Sequence, residues 1–541
     1  MVKYVFITGG VLSSVGKGVI TASIAKILQA RGYRVTTIKI DPYFNVDAGT
    51  MNPYQHGEVF VTADGGETDL DLGHYERFLD VELTKDHNIT SGKVYLKVIT
   101  DEREGKYLGQ TVQLIPHVTD EIKREIKYAV EKSNATIGVV EIGGTVGDYE
   151  SLPFLEAIRQ MRLEEGYDNT VFVHVALVPI IETTGEPKTK PLQHSVFELR
   201  RIGIQPDIII ARCKTWLDNE IKRKIALFTN VPSSAIFTAP YVDTIYRIPL
   251  ILDEEGLGDY LVKRLKLEPR RPDLSDWCDF VNRLSSPRDS VKIGLCGKYV
   301  KLKDSYLSVL EALTHAGAKL RIKPEIVWID ADSIEKGSEE ELEKLNDVHG
   351  VIVLPGFGIR GAEGKIRVIK EVRERKIPFL GICFGMQLAV VEFARNVLGL
   401  KDANSTEINP ETPHPVVDLA PEQKMIDKKG GTMMLGNKPV KIMRNTLAYR
   451  LYNVELVYER HRHRYIINEK YIPDLEKAGL KISGIRADTE YTIVEIVELE
   501  DHPFFIGTQF HPEFRSRPLN PHPLFVGLLD AALRFKYGEK I

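Results

Sequence analysis

The chain has few cysteines, since only Cys213, Cys278, Cys296 and Cys383 occur among its 541 residues. Four cysteines cannot form a disulfide framework for a chain of this length, and no two of them form a CxxC pair. This usage is typical of proteins from a reducing compartment, so we expect the protein to be cytoplasmic.

The chain also lacks long hydrophobic runs and a sizeable net charge. Its longest apolar stretch beyond the N-terminus covers residues 170–181, whereas a membrane-spanning helix needs about 20 apolar residues. The uncharged run at residues 4–16 contains three glycines and is followed by no clear cleavage site, which argues against a signal peptide. The 72 basic and 76 acidic side chains leave a net charge of −4. We therefore expect no membrane partner and no nucleic-acid partner, and any bound polyanion must be held at a local site.

What is present is the composition and pattern of an α/β protein. Hydrophobic residues make up 43% of the chain, enough for a substantial core. Apolar β-branched runs alternate with amphipathic helical stretches, as in parallel sheets covered by helices on both faces. A segment rich in proline and charge interrupts the pattern before a second α/β series begins. We predict two doubly wound, mostly parallel-sheet domains at residues 1–272 and 290–541, joined by a linker at residues 273–289.

The first strand is followed by the glycine-rich sequence GGVLSSVGKG (residues 9–18), which leads into a helix. Successive backbone N–H groups, the helix N-terminus and the mobile charge of Lys17 are suited to binding phosphate oxygens. The match to the usual phosphate loop is imperfect, because five residues separate Gly10 from Gly16 and Gly18 replaces the usual Ser/Thr ligand of magnesium. The alternative is a plain glycine-rich turn.

Magnesium must then depend on other oxygens, and two acidic residues lie near predicted strand ends. Asp71 and Glu141 are candidate ligands, since hard cations prefer oxygen donors beside a phosphate loop. Lys39, at the end of the second strand, could neutralise charge on a transferred phosphoryl group. A second phosphate site could involve Lys188, Lys190 and Lys224. The alternatives are ordinary solvated loop carboxylates and lysines.

In the C-terminal half, the sequence GICFGMQ predicts a sharp turn from a strand through Cys383 into a helix, with the sulfur exposed as a nucleophile. A thiol needs a basic partner near neutral pH, and the sequence QFHPEF offers His511 with Glu513 to orient it. We expect Pro512 to keep this tripeptide extended. A buried, inert cysteine is the alternative. The run at residues 460–464 (RHRHR) is either an exposed basic patch or a site that captures a substrate carboxylate.

Taken together, these and longer motifs resemble CTP synthases along most of the chain. They include KIDPYFNVDAGTMNPYQHGEVFVTADGGETDLDLGHYERF, EIGGTVGDYESLPFLEAIRQ, KTKPLQHSV and ANSTE. The resemblance implies a phosphate-loop NTPase-like domain, similar to dethiobiotin synthetase, and a flavodoxin-like class I glutamine amidotransferase domain. It implies a ligase that uses ATP to phosphorylate the uracil carbonyl oxygen of UTP, after which ammonia from glutamine displaces phosphate to give CTP.

The same resemblance implies roles for individual residues. Cys383, His511 and Glu513 would hydrolyse glutamine, and Asp71 and Glu141 would bind Mg²⁺. The ATP site would comprise Ser14, Val15, Gly16, Lys17, Gly18, Val19, Lys39 and Asp71. The UTP site, which CTP would also occupy as a feedback inhibitor, would comprise Ser13, Asp148, Tyr149, Glu150, Lys188, Thr189, Lys190, Pro191, Leu192, Gln193 and Lys224. The glutamine site would comprise Gly356, Phe384, Gly385, Met386, Gln387, Glu407 and Arg464, and His56 would lie near the point where ammonia arrives.

Activation by GTP and assembly into a homotetramer are also implied by the resemblance alone. One departure concerns the oxyanion loop at residues 354–358, where Pro355 replaces the first of two family glycines. Proline has no N–H, so donation to an oxyanion must come from Gly356 or beyond, with the N–H of Phe384 as the second donor. Two other functions remain open: an ATP-dependent amidotransferase acting on carboxylates, and a non-enzymatic nucleotide-sensing protein.

Overall fold

The computed structural model describes residues 2–183, 185–300, 302–423 and 432–539. The chain forms two compact units, Met1–Ala48 with Asp71–Val281 and Gly49–Leu70 with Asn282–Ile541. A short segment of the N-terminal half, Gly49–Leu70, is therefore part of the second unit. No sequence pattern marked this exchange, because it depends on tertiary packing and not on local periodicity.

The elements of the first 285 residues alternate between strands and helices, as predicted. The strands are β1 (Lys3–Gly10), β2 (Val35–Asp41), β3 (Phe60–Val61), β4 (Glu67–Thr68), β5 (Asn88–Thr90), β6 (Ile137–Ile142), β7 (Thr170–Leu177), β8 (Ile208–Cys213) and β9 (Ile236–Pro240). The helices are α1 (Lys17–Gln29), α2 (Pro53–His56), α3 (Asp71–Leu79), α4 (Ser91–Arg103), α5 (Thr119–Lys132), α6 (Leu152–Glu165), α7 (Lys190–Arg201), α8 (Asn219–Thr229), α9 (Ile248–Glu254), α10 (Leu257–Arg264) and α11 (Ser275–Ser285).

The first unit is built on one parallel sheet with strand order β5-β2-β6-β1-β7-β8-β9. Side chains of β1 alternate between its two faces: Val5 and Ile7 pack with α1, α9 and α10, whereas Tyr4 and Phe6 pack with α5 and α6. A strand buried on both faces needs apolar residues at every position, which explains its continuous apolar sequence. The predicted α/β class is confirmed for this unit.

The second unit contains the remaining elements. Its further strands are β10 (Asp289–Gly297), β11 (Ile322–Asp330), β12 (Gly350–Val353), β13 (Phe379–Ile382), β14 (Ala403–Ser405), β15 (His414–Leu419), β16 (Met434–Ile442), β17 (Leu456–His463), β18 (Tyr465–Ile467), β19 (Leu480–Arg486), β20 (Val494–Leu499) and β21 (Phe505–Thr508). Its further helices are α12 (Leu307–Leu320), α13 (Ala331–Glu335), α14 (Glu339–Glu343), α15 (Ala362–Glu374), α16 (Phe384–Asn396), α17 (Leu447–Tyr452), α18 (Ile472–Lys477) and α19 (Pro523–Lys536).

The main sheet of the second unit has the order β11-β10-β12-β13-β21-β20-β19-β16-β17. The strands from β11 to β21 pair in parallel, and those from β21 to β17 pair antiparallel. The parallel part is the predicted α/β layer, covered by two apolar clusters on its two faces. The antiparallel extension was not anticipated from the sequence. Within the described ranges, no helix combines the length and apolar composition that a membrane crossing requires.

Helix α11 lies in the stretch predicted to be a linker, and its first part packs into the first unit. Trp277 is 2% exposed, and its ring lies 5.2 Å from that of Phe78 and 5.7 Å from that of Tyr246. The indole Nε1–H donates to the carbonyl oxygen of Tyr246 at 2.7 Å. This segment therefore contributes an aromatic anchor to the core.

We predict that Trp277→Ala lowers the free energy of unfolding by about 3–5 kcal/mol, because it removes a buried aromatic ring and leaves a cavity. Denaturant unfolding of the full chain measures the change. Trp216 is 55% exposed, so Trp216→Ala serves as the control and should cost less than about 0.5 kcal/mol. Equal effects of the two substitutions would show that α11 is not part of the folded core.

Candidate active sites

The glycine-rich sequence at residues 9–18 lies between the end of β1 and the start of α1. Gly16 has φ of 91° at the N-cap of α1, a left-handed conformation that glycine adopts without steric cost. Lys17 opens the helix, and its Nζ donates to the carbonyl oxygen of Gly144 at 2.8 Å. Burial lowers the pKa of Lys17, and the carboxylate of Glu141 opposes that shift. The loop thus combines a helix N-terminus with a buried cation, an arrangement that binds anions.

A second cation and two carboxylates lie beside this loop. Lys39 and Glu141 are register partners in the adjacent parallel strands β2 and β6, and Lys39 Nζ lies 2.9 Å from Glu141 Oε1. The same ammonium group also binds the carboxylate of Asp71. Asp71 lies near a strand end, as expected, since it begins α3 three residues after β4 ends at Thr68. The structure therefore brings Lys17, Lys39, Asp71 and Glu141 together beside the carboxyl ends of β1, β2 and β6.

The position of Asp71 explains why residue 18 is glycine. A Cβ atom at Gly18 would overlap the carboxylate of Asp71, with its Oδ2 only 3.2 Å away. The acidic side chain from α3 thus occupies the space that the side chain of a Ser or Thr at position 18 would need. A carboxylate oxygen is therefore present at this point of the loop, although another helix supplies it.

The charges of this cluster are strongly coupled. Burial, and next the charge of Asp71, raise the pKa of Glu141, whereas Lys39 opposes the rise. Burial also disfavours ionised Asp71, but the charges of Lys39 and His74 and the hydrogen bond from Lys39 outweigh it, so the pKa of Asp71 lies below its usual value. Lys39 therefore keeps Asp71 ionised beside the phosphate loop.

The oxygen atoms of these two carboxylates fit a hard divalent cation that takes its other ligands from water and from a bound nucleotide. Asp71 and Glu141 offer carboxylate oxygens, but no group of three or more His, Cys, Asp or Glu side chains suited to hold a metal occurs among the described residues. Mg²⁺ commonly takes one or two carboxylates and fills its remaining positions with water and nucleotide phosphates. The two residues predicted from sequence fit that pattern.

The residues predicted for UTP lie in loops, at the start of α7 and, for Lys224, on α8. Asp148 accepts a hydrogen bond from the N–H of Thr145 at 2.8 Å, and Tyr149 is 86% exposed beside it. Lys188 binds Glu186 at 2.6 Å. The hydrogen bond from Lys188, and more weakly the charges of Lys188 and Lys224, lower the pKa of Glu186. Lys188 and Lys224, 36 residues apart in sequence, thus lie near the same carboxylate.

Three predicted nucleotide-binding residues have side chains that belong to the core. Val15 and Val19 pack in the cluster around α1, and Leu192 packs between β7 and β8. Val15 and Leu192 are buried and Val19 is half-buried, so these side chains help to anchor the loop and the start of α7 to the sheet.

In the second unit, Cys383 lies between β13 and α16 with φ of 54° and ψ of −103°. Both neighbouring glycines are required by close contacts: a Cβ at Gly385 would overlap the carbonyl oxygen of Val353, and one at Gly381 would lie 2.9 Å from the backbone of Gly385. This is the predicted strand-to-helix turn, and its strained backbone is the kind found at reactive residues. The expectation of an exposed sulfur was wrong, because Cys383 is only 2% exposed and faces a cavity instead of the open surface.

His511 and Glu513 are paired, but not by extended chain. His511 Nδ1 and Glu513 Oε1 lie 2.7 Å apart, and Pro512–Arg515 form a 3₁₀ turn. The expectation of an extended tripeptide was wrong, because Pro512 restricts only the preceding residue to extended geometry and is itself well suited to open a helical turn. The turn folds the carboxylate back onto the imidazole.

The groups around His511 favour the protonated, positively charged form of its imidazole. Although burial lowers its pKa, the carboxylate of Glu513 and the sulfur of Cys383 raise the pKa of His511 to about 10. Its Nε2 is buried and makes no hydrogen bond of normal geometry within the described residues, so this nitrogen is left for Cys383. The Cys383 sulfur lies 3.7 Å from both the carbonyl oxygen of Arg462 and Nε2 of Gln509. A cation beside a cysteine stabilises its thiolate.

A cavity of about 230 Å³ opens beside the nucleophile, and Cys383, His511 and Gly356 line it. Residues of the short segment Gly49–Leu70 form part of its wall, namely Gly49, Thr50, Met51, Pro53, Glu58 and Val59. His56 ends α2 on the same segment, is exposed and is not among the lining residues. The predicted ammonia-side residue is thus close in sequence to the wall, but outside it.

The basic run at residues 460–464 holds this segment in place. Arg460 is fully buried and donates to the carbonyl oxygen of Val61 at 3.0 Å. Arg462 binds Glu67 at 2.8 Å and the carbonyl oxygen of Gly49 at 3.2 Å. The alternative of a solvent-exposed patch is therefore wrong for these two arginines.

The other predicted glutamine residues surround the loop without all reaching the cavity. Glu407 accepts a hydrogen bond from the N–H of Gly358 at 2.6 Å. Gln387 is buried and donates to the carbonyl oxygen of Tyr465 at 3.0 Å. The guanidinium of Arg464 binds Gln423 and Thr432, each at 2.8 Å. Of the predicted glutamine residues, Gly356 is the one that lines the cavity, within the part of the chain that the structure describes.

Two lysines that sequence reasoning missed support the loop at residues 354–358, which is predicted to bind an oxyanion. Lys365 is 1% exposed and donates to the carbonyl oxygen of Leu354 at 2.7 Å, and Lys298 binds the carbonyl oxygen of Phe357. Burial, despite the opposing charge of Cys296, lowers the pKa of Lys365 to about 8. Neither lysine had a motif around it, because each acts through a main-chain contact. Gln509 could have been noticed, since it lies two residues before His511.

Comparisons with known proteins show the family to which both halves of the chain are similar. Residues 3–267 match the family model described as CTP synthase N-terminus, and residues 301–531 match the model of glutamine amidotransferase class-I. A CTP synthase of Caldivirga maquilingensis is 62% identical over 99% of this chain and 98% of its own length. A CTP synthase of Pyrococcus furiosus is 60% identical over the whole of both chains. The glutaminase domain of Trypanosoma brucei CTPS with bound acivicin is 38% identical, with a TM-score of 0.43 over 45% of this chain and 94% of that chain.

We predict that Glu513→Gln slows alkylation of Cys383 by iodoacetamide at pH 7 by at least about tenfold. Loss of the carboxylate removes the main influence that raises the pKa of His511, so the imidazolium beside the sulfur becomes less populated. Mass spectrometry of the Cys383 peptide measures the rate. Glu459→Gln alters another histidine–carboxylate pair, Glu459 with His522 at 3.0 Å, and is expected to leave the rate within twofold. Unchanged alkylation in Glu513→Gln would contradict the assignment of Glu513 as the partner of His511.

Proposed function

The chain belongs to the CTP synthase family, and from that premise we propose that it converts UTP to CTP with ATP and with ammonia taken from glutamine. The observation that carries the proposal is the presence, in one chain, of a phosphate loop with paired carboxylates and of a Cys383–His511–Glu513 set. A carboxylate-directed amidotransferase would not need the lysines near the start of α7, and a nucleotide sensor would not need the thiol.

In the glutaminase site, the thiolate of Cys383 attacks the amide carbon of glutamine. His511, held as an imidazolium by Glu513, gives its proton to the departing ammonia, and a glutamyl thioester remains on the sulfur. Neutral His511 then takes a proton from water, which attacks the thioester and releases glutamate. The N–H groups of Gly356 and Phe384 are the proposed donors to the oxyanion, and one such donor is worth about 10²–10³ in rate.

We propose that Lys298 and Lys365 fix the shape of this oxyanion loop. Each lysine binds a carbonyl oxygen of the loop, at Phe357 and Leu354. Pro355 lies in the chain between these two carbonyl groups, where it contributes no N–H but restricts the backbone. The loop can therefore be preorganised without the first glycine that the family usually has.

In the synthetase site, the carbonyl oxygen at position 4 of UTP attacks the γ-phosphorus of ATP, and ADP leaves. Ammonia then adds to the ring carbon at position 4, which carries the phosphorylated oxygen. Phosphate departs with that oxygen, and the product is CTP. Lys17 and the N-terminus of α1 bind the phosphates, and Lys39 balances negative charge on the transferred group. Asp71 and Glu141 would hold Mg²⁺, which, when bound, neutralises charge on the phosphate oxygens.

The remaining assignments rest on the family. We propose that UTP binds to Ser13, to Asp148, Tyr149 and Glu150, to the residues from Lys188 to Gln193 and to Lys224, and that CTP inhibits at the same place. GTP activation, a homotetramer and a cytoplasmic location are part of the same proposal. Ammonia is released into the cavity walled by residues 49–59, which would limit its loss as ammonium, and the part played by His56 remains a prediction.

We predict that Cys383→Ala abolishes CTP formation from glutamine but leaves formation from added ammonium salts within about twofold. Lys17→Ala should lower both by more than about 10²-fold, because a cation that meets the phosphates acts in either reaction. Chromatography of the nucleotides measures CTP in each case. Glutamine-dependent CTP formation by Cys383→Ala would show that another residue is the nucleophile.

We predict that Asp71→Asn raises the Mg²⁺ concentration needed for half-maximal ammonia-driven CTP formation by about 10- to 100-fold, the range found when a carboxylate near a metal is altered. Titration with Mg²⁺ at saturating ATP and UTP measures it. Asp101→Asn is the control, since Asp101 on α4 pairs with Lys97 of the same helix and with Lys106 beyond its end. An unchanged Mg²⁺ requirement in Asp71→Asn would remove Asp71 from the metal site.

A further inference from the structure

A buried histidine outside the proposed mechanism links the end of β1, just before the phosphate loop, to the middle of α7. His174 lies on β7 and is fully buried. Its Nδ1 shares a hydrogen bond with Thr8 Oγ1 at 2.9 Å, and its Nε2 shares one with Ser195 Oγ at 2.8 Å. Thr8 belongs to β1 and Ser195 to α7, so the ring links three elements of the first unit.

The two hydroxyl partners stand close to the residues proposed for the nucleotides. Thr8 precedes Gly10, at the start of the phosphate loop, by two residues. Ser195 follows Gln193, at the end of the proposed UTP segment, by two residues. Gln193 is itself held to Thr189 Oγ1 at 3.0 Å. A displacement of α7 at Ser195 would therefore also move the residues from Lys188 to Gln193, which are proposed to bind UTP.

The packing around the ring is tight on the side of the loop. A Cβ atom at Gly10 would overlap the hydroxyl of Ser195 and would lie 2.8 Å from His174 Nε2. Glycine at position 10 thus allows the histidine and α7 to rest directly on the loop backbone. The distance between loop and helix is set by this contact and by the two hydrogen bonds.

The ring is neutral in the folded protein. Burial, and next the charge of Lys17, lower the pKa of His174 to about 3. A neutral imidazole has one donor and one acceptor nitrogen, and each can pair with a hydroxyl group in either tautomer. Thr8 can also donate to the carbonyl oxygen of Val173 at 3.3 Å. The bridge that His174 forms between Thr8 and Ser195 therefore adds no positive charge to that of Lys17 and Lys39.

We propose that His174 is a positioning residue that sets the spacing between the phosphate loop and α7, so that ATP and UTP are held in a fixed relation. This inference rests on the proposed function, because the ligands of the loop and of α7 are those assigned there. Its bond to Ser195 holds the UTP side, and its bond to Thr8 holds the ATP side.

Two near-isosteric substitutions separate the two bonds. The amide nitrogen of Asn falls close to Nδ1 of His, so His174→Asn keeps a partner for Thr8 and loses the one for Ser195. The amide nitrogen of Gln falls close to Nε2, so His174→Gln keeps the partner for Ser195 and loses the one for Thr8. Ser195→Ala removes the helix side of the bridge without altering the ring.

The experiment measures KM for ATP and for UTP in ammonia-driven CTP formation by the full-length chain. We expect Ser195→Ala and His174→Asn to raise KM for UTP about five- to tenfold, as expected when one buried hydrogen bond no longer holds the ligand-bearing helix, with KM for ATP within twofold. His174→Gln should reverse the pattern, raising KM for ATP and bringing KM for UTP back towards the wild-type value.

Ser133→Ala is a matched control. Ser133 shares a hydrogen bond with Nε2 of His87 at 2.7 Å, and it also contacts Thr36 near the start of β2. Ser133 therefore lies near the amino ends of the parallel strands, whereas the phosphate loop lies at their carboxyl ends. The control should leave both KM values within twofold while losing the same kind of bond, and melting temperatures of all variants show whether each remains folded.

Several outcomes would overturn the inference. KM for UTP within twofold of wild type in both Ser195→Ala and His174→Asn would show that the bridge does not position α7. An equal rise of both KM values in every variant would show a general loosening and not a positioning role. Absence of CTP formation by the wild-type chain would overturn the proposed function, and this inference with it.

Discussion

Close packing of glycine backbone at the turn from a parallel strand into a helix is the constraint on which both sites depend. In the first unit, Gly10 lies against Ser195 and His174, and Gly18 lies against the carboxylate of Asp71. In the second unit, Gly381 and Gly385 let the chain turn sharply at Cys383. In each case the absent side chain is what lets a reactive group, or the helix that carries it, approach the strand end. The N-terminus of the following helix then lies at the turn, beside Lys17 in the first unit and Cys383 in the second.

Charge is arranged differently in the two sites. The first site balances two lysines against two carboxylates in a buried setting, where an unpaired charge would be costly. This balance allows the site to receive phosphates together with a divalent cation. The second site has one dominant pair, in which Glu513 keeps His511 charged beside the sulfur of Cys383. The first arrangement suits phosphoryl transfer, and the second suits acyl transfer through a thiol.

The parts of the structure that the sequence predicted are those with local signals. Parallel strands were recognisable from continuous apolar runs, the phosphate loop from glycines around Lys17, and the nucleophile turn from the glycines around Cys383. Features set by tertiary contacts were missed. The segment Gly49–Leu70 packs in the second unit because Arg460 and Arg462 bind its carbonyl groups and Glu67. Lys365 and His174 likewise had no motif, since each acts through burial and one or two hydrogen bonds. The 3₁₀ turn after His511 was misjudged because Pro512 permits extended chain before it and a helical turn after it.

The central claim is that nitrogen from glutamine, released at Cys383, becomes the amino group of CTP in a reaction driven by ATP at Lys17. The most direct test is to incubate the wild-type protein with ATP, Mg²⁺, UTP and glutamine labelled with ¹⁵N at its amide, in the presence of unlabelled ammonium ion. Mass spectrometry of the product then reports the source of the nitrogen. We expect CTP that carries mainly ¹⁵N, with one ADP formed for each CTP. Absence of CTP, or CTP whose amino group matches the bulk ammonium pool, would contradict this transfer of nitrogen.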